Sequence, residues 1–281
     1  MDLIHISEGI SGFLGSALGA PTCDDVRRNF ARGKFGDVDI NGVVTTIDKE
    51  DRKREFRTDA PPFRMICSIE VAFGDEPPVP AGTGWLVGRC TVVTAAHVLW
   101  WDGKVKKVRV VPGRNGLDPG RRGFESTTFH IHEQWGGETQ QRPEWDIAAI
   151  RLPEPIGDTI GWFGVAAMPD NMLADRMVNI AGYPSVVDGQ MVERCAEFWF
   201  ETNFVAEVRP ERLFYGIDTS PGQSGAPIIL WPNPLAPDGP PTVIGVHTRG
   251  VTDEPLNSGT RINGDKLALL GGWVASDNAA I

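Results

Sequence analysis

Residues 216–229 read "GIDTSPGQSGAPII". In this stretch Ser224 stands between a glutamine and a glycine, after a Pro-Gly turn and before an apolar strand. A small hydroxyl in so tight a bend is common in loops and says little alone. Two residues far upstream give it meaning. His97 lies in "VVTAAHVL", at the end of an apolar strand and on a small-residue turn, and Asp146 opens "DIAAIRL". A serine hydroxyl is a poor nucleophile until a neighbouring base takes its proton. An imidazole with a reference pKa of ~6.5 accepts that proton and later returns it to a leaving amine. A carboxylate such as Asp146 holds the imidazole in the useful tautomer and stabilises the imidazolium. Singly, each residue has a plain reading as a core histidine, a turn former or a loop serine. In the order His, Asp, Ser they match one of the three known orders of a nucleophilic triad. Gly222 leaves its backbone free to bend, so the N–H groups of Gly222 and Ser224 can point at a developing oxyanion. Loss of one such donor costs roughly 3 kcal/mol in related chemistry.

Outward from these residues, the pattern is one of short strands. "FRMICSIEVAF", "GTGWLVGR", "CTVVTAAHVL", "VKKVRVVPG" and "DIAAIRL" make a first strand-rich half. "RMVNIAGYP", "AEFWFETNFVAEV", "RLFYGIDT", "GAPIIL" and "TVIGVHTRG" make a second. Alternating or continuous apolar runs bounded by Gly and Pro read as strands joined by turns. Only "GDKLALLGGWVA" has helical spacing, with Asn263 or Asp265 as its N-cap. The expectation is an all-β chain with a short terminal helix. Residues 1–42 form an arm or pro-segment, 43–160 the half with His97 and Asp146, and 161–281 the half with Ser224.

The 281 residues carry 27 Lys+Arg against 37 Asp+Glu, a net charge of -10 that argues against a nucleic-acid partner. No apolar run reaches membrane-spanning length, so no membrane partner is expected. Cys23, Cys67, Cys90 and Cys195 are too scattered for a disulfide framework or a zinc site, and no cofactor is expected. His130 and His132 in "FHIHEQW" share a strand face but lack a third ligand at suitable spacing, so no metal is assigned. The start carries Asp2 and Glu8 where a secretory signal needs a basic region. Cytoplasmic residence is therefore the default and secretion the alternative.

The motifs "TGWLVGRCTVVTAAHVL", "WDIAAIRL", "IGDTIGWFG", "IAGYP", "DTSPGQSGAPI" and "IGVHTRG" with "NSGTRIN" resemble the chymotrypsin-fold serine peptidases. Within that fold the chain is most similar to the bacterial glutamyl endopeptidases of the staphylococcal type, from about Val43 to the C-terminus. The resemblance implies two six-stranded antiparallel barrels with the active site in the cleft between them, and endoproteolysis of protein or peptide substrates. It also implies that Thr219 and His247 bind a substrate carboxylate, with Gly259 leaving room and Gly250 open to the substrate backbone. That arrangement favours cleavage after Glu, or Asp.

Asp218 complicates the pocket. By spacing it falls where trypsin-type enzymes carry the acid that binds Arg or Lys, and two unpaired negative charges in one pocket would repel. Acidic preference therefore needs Asp218 turned away, or paired with a cation such as Arg261 or Arg249. A trypsin-like preference for Arg or Lys stays open as the alternative, as does a catalytically silent binding module. By the same resemblance the mature chain starts after a removed pro-segment. "DINGVV" then places processing near Asn41 and Gly42, with Val43 or Val44 as the new terminus and an activating protease as partner. A stably attached arm is the competing reading.

Overall fold

The computed structural model describes residues 50–281 apart from 76, 101–104, 117–119, 137–141, 188–189, 192–195, 232–239 and 251–255. The strands of the first half follow β1 (Lys53–Arg54): β2 (Ile66–Ala72), β3 (Val79–Leu86), β4 (Thr91–Thr94), β5 (Lys107–Pro112), β6 (Phe124–Ser126), β7 (Phe129–Ile131) and β8 (Ala148–Arg151). The second half holds β9 (Gly164–Val165), β10 (Met177–Gly182), a β11–β12 hairpin (Val186–Val187 and Gln190–Met191), β13 (Trp199–Val208), β14 (Arg212–Tyr215), β15 (Pro227–Leu230), β16 (Thr242–Gly250) and β17 (Asn257–Arg261).

In the second half the order β13-β10-β15-β16-β17-β14 closes on itself, because β14 also pairs with β13. In the first half the order is β6-β5-β2-β3-β4-β8-β7. Its two end strands are neighbours in sequence, so the ring is completed through the bend at Thr127 and Thr128 rather than by a ladder. Ser126 Oγ donates to Arg151 O (2.5 Å), and Arg151 N donates to Thr128 O (3.1 Å), which stitches the bend to β8. The chain thus has the chymotrypsin-like architecture that the strand pattern and the resemblance imply.

β2 is buried along its whole length. The alternation in its sequence therefore does not mark a wet face. Glu70 on this strand sits at 1% exposure, and its charge is met by Arg109 (2.8 Å) and Arg114 (2.5 Å). A buried carboxylate persists only when paired in this way. Ile69, Trp85, Leu86, Val92, Val110 and Ile150 fill the first barrel, and Ile180, Val205, Leu213, Ile228 and Ile244 the second.

The two halves exchange their end segments. β1 lies in the sequence of the first half, yet it hydrogen-bonds to β13 of the second, Lys53 opposite Phe200 and Arg54 opposite Trp199. The terminal helix, Gly264–Ala279, follows the second half and packs on the first. Asn263, one of the two expected caps, is its N-cap and accepts from Lys266 N (3.1 Å). At the far end Asp277, fully buried, accepts from Thr91 Oγ1 (2.7 Å) and faces His130 Nε2 (2.7 Å). No helix among the described residues is long and apolar enough to cross a membrane.

Asp277→Ala is expected to cost about 3 kcal/mol, because it strands a buried hydroxyl and an imidazole. Asp265→Ala, exposed in the helix's first turn, should cost less than about 1 kcal/mol. Urea midpoints of the two variants measure the contrast, and equal midpoints would show that Asp277 does not pin the helix.

Candidate active site

Asp146 is the most deeply placed of the three triad-type residues, with no exposure at all. Its Oδ2 meets His97 Nδ1 at 2.7 Å, and its Oδ1 accepts from His97 N at 3.0 Å. Side chain and backbone of one residue therefore grip both oxygens of the other. Thr260 Oγ1, from β17 of the opposite barrel, shares its proton between two carbonyls, Pro143 O (3.1 Å) and Asp146 O (3.3 Å), and the Arg249 guanidinium stands 4.0 Å from Oδ2. Burial works to raise the Asp146 pKa. The charge and hydrogen bonds of His97, and then Arg249, outweigh it and hold the carboxyl below the ordinary aspartate range. His97 sits on the helical turn Ala96–Leu99 directly after β4, with its side chain 31% exposed to the cleft. The buried Trp135 ring lies 6.5 Å from its ring, centroid to centroid.

Ser224 approaches from the second barrel. Thr83 N donates to Ser224 O (2.8 Å), and Gly225 N donates to His247 O (2.8 Å). Gly225 has φ +88°, and a Cβ there would strike Thr83 O, Thr94 Oγ1 and Ala95 N. That position needs glycine both for its torsion and for the close approach. The loop carrying Ser224 is thus seated against the strand end and turn that carry His97. Ser224 Oγ donates to Thr248 O at 3.3 Å, and among the described residues it makes no hydrogen bond to His97.

The two amides singled out in the sequence are oriented by side chains that sequence reasoning missed. Pro221 O accepts from Ser185 N (2.7 Å) and Ser185 Oγ (2.8 Å). In a trans peptide the carbonyl and the following N–H point opposite ways, so this double bond sends Gly222 N–H away from Ser185. Gly222, at φ +95°, has its own carbonyl held by Thr83 Oγ1 (2.8 Å). Among the described residues neither Gly222 N–H nor Ser224 N–H has a hydrogen-bond partner. They are two donors left for something else.

The expected pocket residues fall into two groups. Thr219 and His247 are both buried, at 3% and 2% exposure, and His247 lies opposite Gly259 on the β16–β17 ladder. Tyr215 OH meets His247 Nδ1 at 2.7 Å. Burial, then the charge of His97, pushes the His247 pKa down to about 3, so this imidazole is neutral near neutral pH. Gly250 ends β16 and is opposite Asn257. Asp218 belongs to a different neighbourhood. Its Oδ2 accepts from Asp51 N (3.3 Å), and its own N–H donates to Glu201 Oε2 (2.7 Å). The two cations considered for it are engaged elsewhere: Arg261 with Met168 O, Arg209 O and Asp170, and Arg249 beside Asp146. Sequence spacing gave no hint that the chain around residue 51 would return to this acid.

His130 and His132 do not act together. His130 faces Asp277 and stacks on Trp273, whereas His132 stacks on Trp145 at 4.0 Å. Among the described residues no group of three or more His, Cys, Asp or Glu is placed to hold a metal ion, and Cys67 and Cys90 are free and buried. Asn41, Gly42, Val43, Val44, Cys23 and Cys195 lie outside the described residues.

The family model described as Trypsin matches residues 60–263. A glutamyl endopeptidase of Bacillus licheniformis is 31% identical over 236 residues, spanning 82% of this chain and 69% of that one. An extracellular metalloprotease of Bacillus subtilis is 26% identical over 229 residues, spanning 81% of this chain and 69% of its own. Among solved structures, Glu endopeptidase in complex with MPD superposes with a TM-score of 0.67 at 20% identity, over 81% of this chain and 98% of that one. The protease Anisep from Arthrobacter nicotinovorans does so with a TM-score of 0.61 at 14% identity, over 80% and 99%. The relatives overturn the expectation of cytoplasmic residence, since one is an extracellular protease, and they point to secretion. That expectation rested on the charges of Asp2 and Glu8, in residues outside those described, and such a pattern is weaker than relatedness across the folded part.

Glu201 gives the site a pH signature. Burial, with Asp218 and Asp51 nearby, lifts its pKa from the ordinary 4.5 to about 7, against the pull of Arg52 and of the Asp218 N–H. The folded state then holds this proton more tightly than the unfolded chain. Its contribution to stability is complete below about pH 4.5 and is lost as pH rises through about 7. Glu201→Gln imitates the protonated form and is expected to flatten the fall in melting temperature between about pH 5 and about pH 8. An unchanged pH slope in the variant would overturn this assignment.

Proposed function

The chain belongs to the trypsin family of serine peptidases, and from that premise we propose that Ser224, His97 and Asp146 cleave peptide bonds after Glu, or Asp, through an acyl-enzyme. The observation that carries the reading is the buried two-point grip of Asp146 on His97 beside a nucleophile loop seated on the same strand end. Ser224 Oγ turns from Thr248 O toward His97 when substrate enters. Catalytic hydrogen bonds are often long before the reactive complex forms. The hydroxyl oxygen attacks the scissile carbonyl carbon and its proton passes to His97 Nε2. Gly222 N–H and Ser224 N–H receive the oxyanion. His97 then gives the proton to the departing amine, and water repeats the sequence to release the new carboxyl terminus.

The preference for an acidic side chain rests on Thr219 and His247. A buried, protonated Tyr215 hydroxyl donating to Nδ1 leaves the proton of a neutral His247 on Nε2, as a donor for a carboxylate. The alternative preference for Arg or Lys needs a free Asp218 carboxylate at the pocket floor. Its bond to Asp51 N and its nearness to Glu201 count against that. As in the reading from sequence, activation by an activating protease near Asn41 and Gly42, leaving Val43 as the new terminus, belongs to this proposal. An uncut chain of intact mass with full activity would remove it.

A fluorophosphonate probe should label the wild type and leave Ser224→Ala unlabelled, and equal labelling would end the proposal. With paired peptides differing only in Glu or Gln before the cut, His247→Ala should lower kcat/KM for the Glu peptide about a hundredfold and the Gln peptide far less. Tyr215→Phe should erode the same preference about tenfold. If both variants keep the wild-type ratio, the carboxylate is read elsewhere.

A further inference from the structure

We propose that Arg52 is a positioning residue for catalysis: an internal cation, delivered by the segment around β1, that locks the loop carrying Ser224 and its two amides. The inference rests on the reading of that loop given above. Arg52 has a side chain with no exposure, which is rare for a guanidinium and requires that every bond it makes be matched. Its Nε and Nη2 form a fork on Glu50, at 2.7 Å and 2.5 Å, so the segment brings its own counter-charge. Nη1 donates to the nucleophile loop, to Gln223 Oε1 (2.8 Å) and Ser220 Oγ (3.0 Å).

Gln223 is the residue between the two amides. It is fully buried, and its Oε1 also accepts from Ser220 N (3.1 Å). The carboxamide oxygen therefore works as a brace inside the bend, accepting at one point from the loop's own backbone and from Arg52. Release of that brace frees the torsions on either side of residue 223, which are the torsions that aim Gly222 N–H and Ser224 N–H. The segment itself is fixed independently. Glu55 N donates to Phe198 O (3.0 Å), Arg54 pairs with Glu197 (2.8 Å), and Asp51 N donates to Asp218 (3.3 Å). Arg52 is thus presented by a strand rather than by a loose tail, and the geometry of the hole depends on how that strand docks.

A brace of this kind acts on the transition state more than on substrate binding, because the oxyanion donors matter only once charge develops. With fluorescent casein as substrate, a probe that does not presume a side-chain preference, Arg52→Ala should lower kcat about a hundredfold and leave KM within about threefold. Methylguanidinium should restore at least about a tenth of the lost rate, and it should do nothing for Ser224→Ala. A kcat within about threefold of wild type would overturn the proposal. So would a loss that follows the fraction unfolded and is not rescued. Gln223→Met removes the acceptor while leaving the Arg52–Glu50 pair intact, and it reads the same question if Arg52→Ala fails to fold. Its kcat should fall similarly, and a wild-type kcat would overturn the brace. If Ser224→Ala still cleaves casein, the assignment of the nucleophile fails. If Ser224→Ala is inert and Arg52→Ala is not slowed, the present inference fails alone.

Discussion

A carboxylate with no exposure to water must be answered by protons from the protein, and the contact between Asp146 and His97 meets that requirement within the first barrel. The Asp146 side chain is held by the first barrel's His97, while Thr260 of the second barrel donates to the carbonyls of Pro143 and Asp146. Moving either barrel breaks a bond to a buried polar group, at a cost of a few kcal/mol. The relative placement of the barrels and the orientation of the imidazole are therefore one constraint. Substitutions that disturb barrel docking should act on catalysis even when they lie far from Ser224.

Behind Ser224 lies a second, largely buried electrostatic group: Glu50, Arg52, Asp218, Glu201 and Gln223. It brings more acids than bases into little water, and a Glu201 that stays protonated until about pH 7 relieves part of the imbalance. The acid that spacing alone would place at the floor of a specificity pocket is used here to anchor a strand. The Ser224 loop is thereby held from two sides, from the front by the histidine turn and from behind by the docked segment.

Much of this was legible in the order of residues. The strand runs, the helix with its Asn263 cap, the glycines around Ser224 and the spacing of His97, Asp146 and Ser224 all report local torsions or chemistry with a sequence signature. What escaped were partners that depend on where distant segments return. "KEDRKREFR" reads as a solvated charged run, yet Arg52 within it is buried, because its fork is completed by Glu50 two residues away and by a loop 168 or more residues on. Ser185, Trp135 and Tyr215 carry no motif, and each matters only for what it touches. Asp218 shows the converse. Its position along the chain suggested a role that its neighbours in space redirect.

The closure of both barrels has a meaning for a peptidase among its own kind. A cleft that takes extended backbone needs a segment whose amides and carbonyls are unclaimed. Here one ring closes by the β13–β14 ladder and the other through the Thr127–Thr128 bend, so the strands of the two rings have at least two neighbours, with β6 and β7 taken as one bent strand, while β1, β9 and the β11–β12 hairpin strands have one each. A second copy of the enzyme would find few unclaimed backbones among the strands. Self-digestion is thereby steered to the connections between strands, and the architecture doubles as armour against the activity it houses.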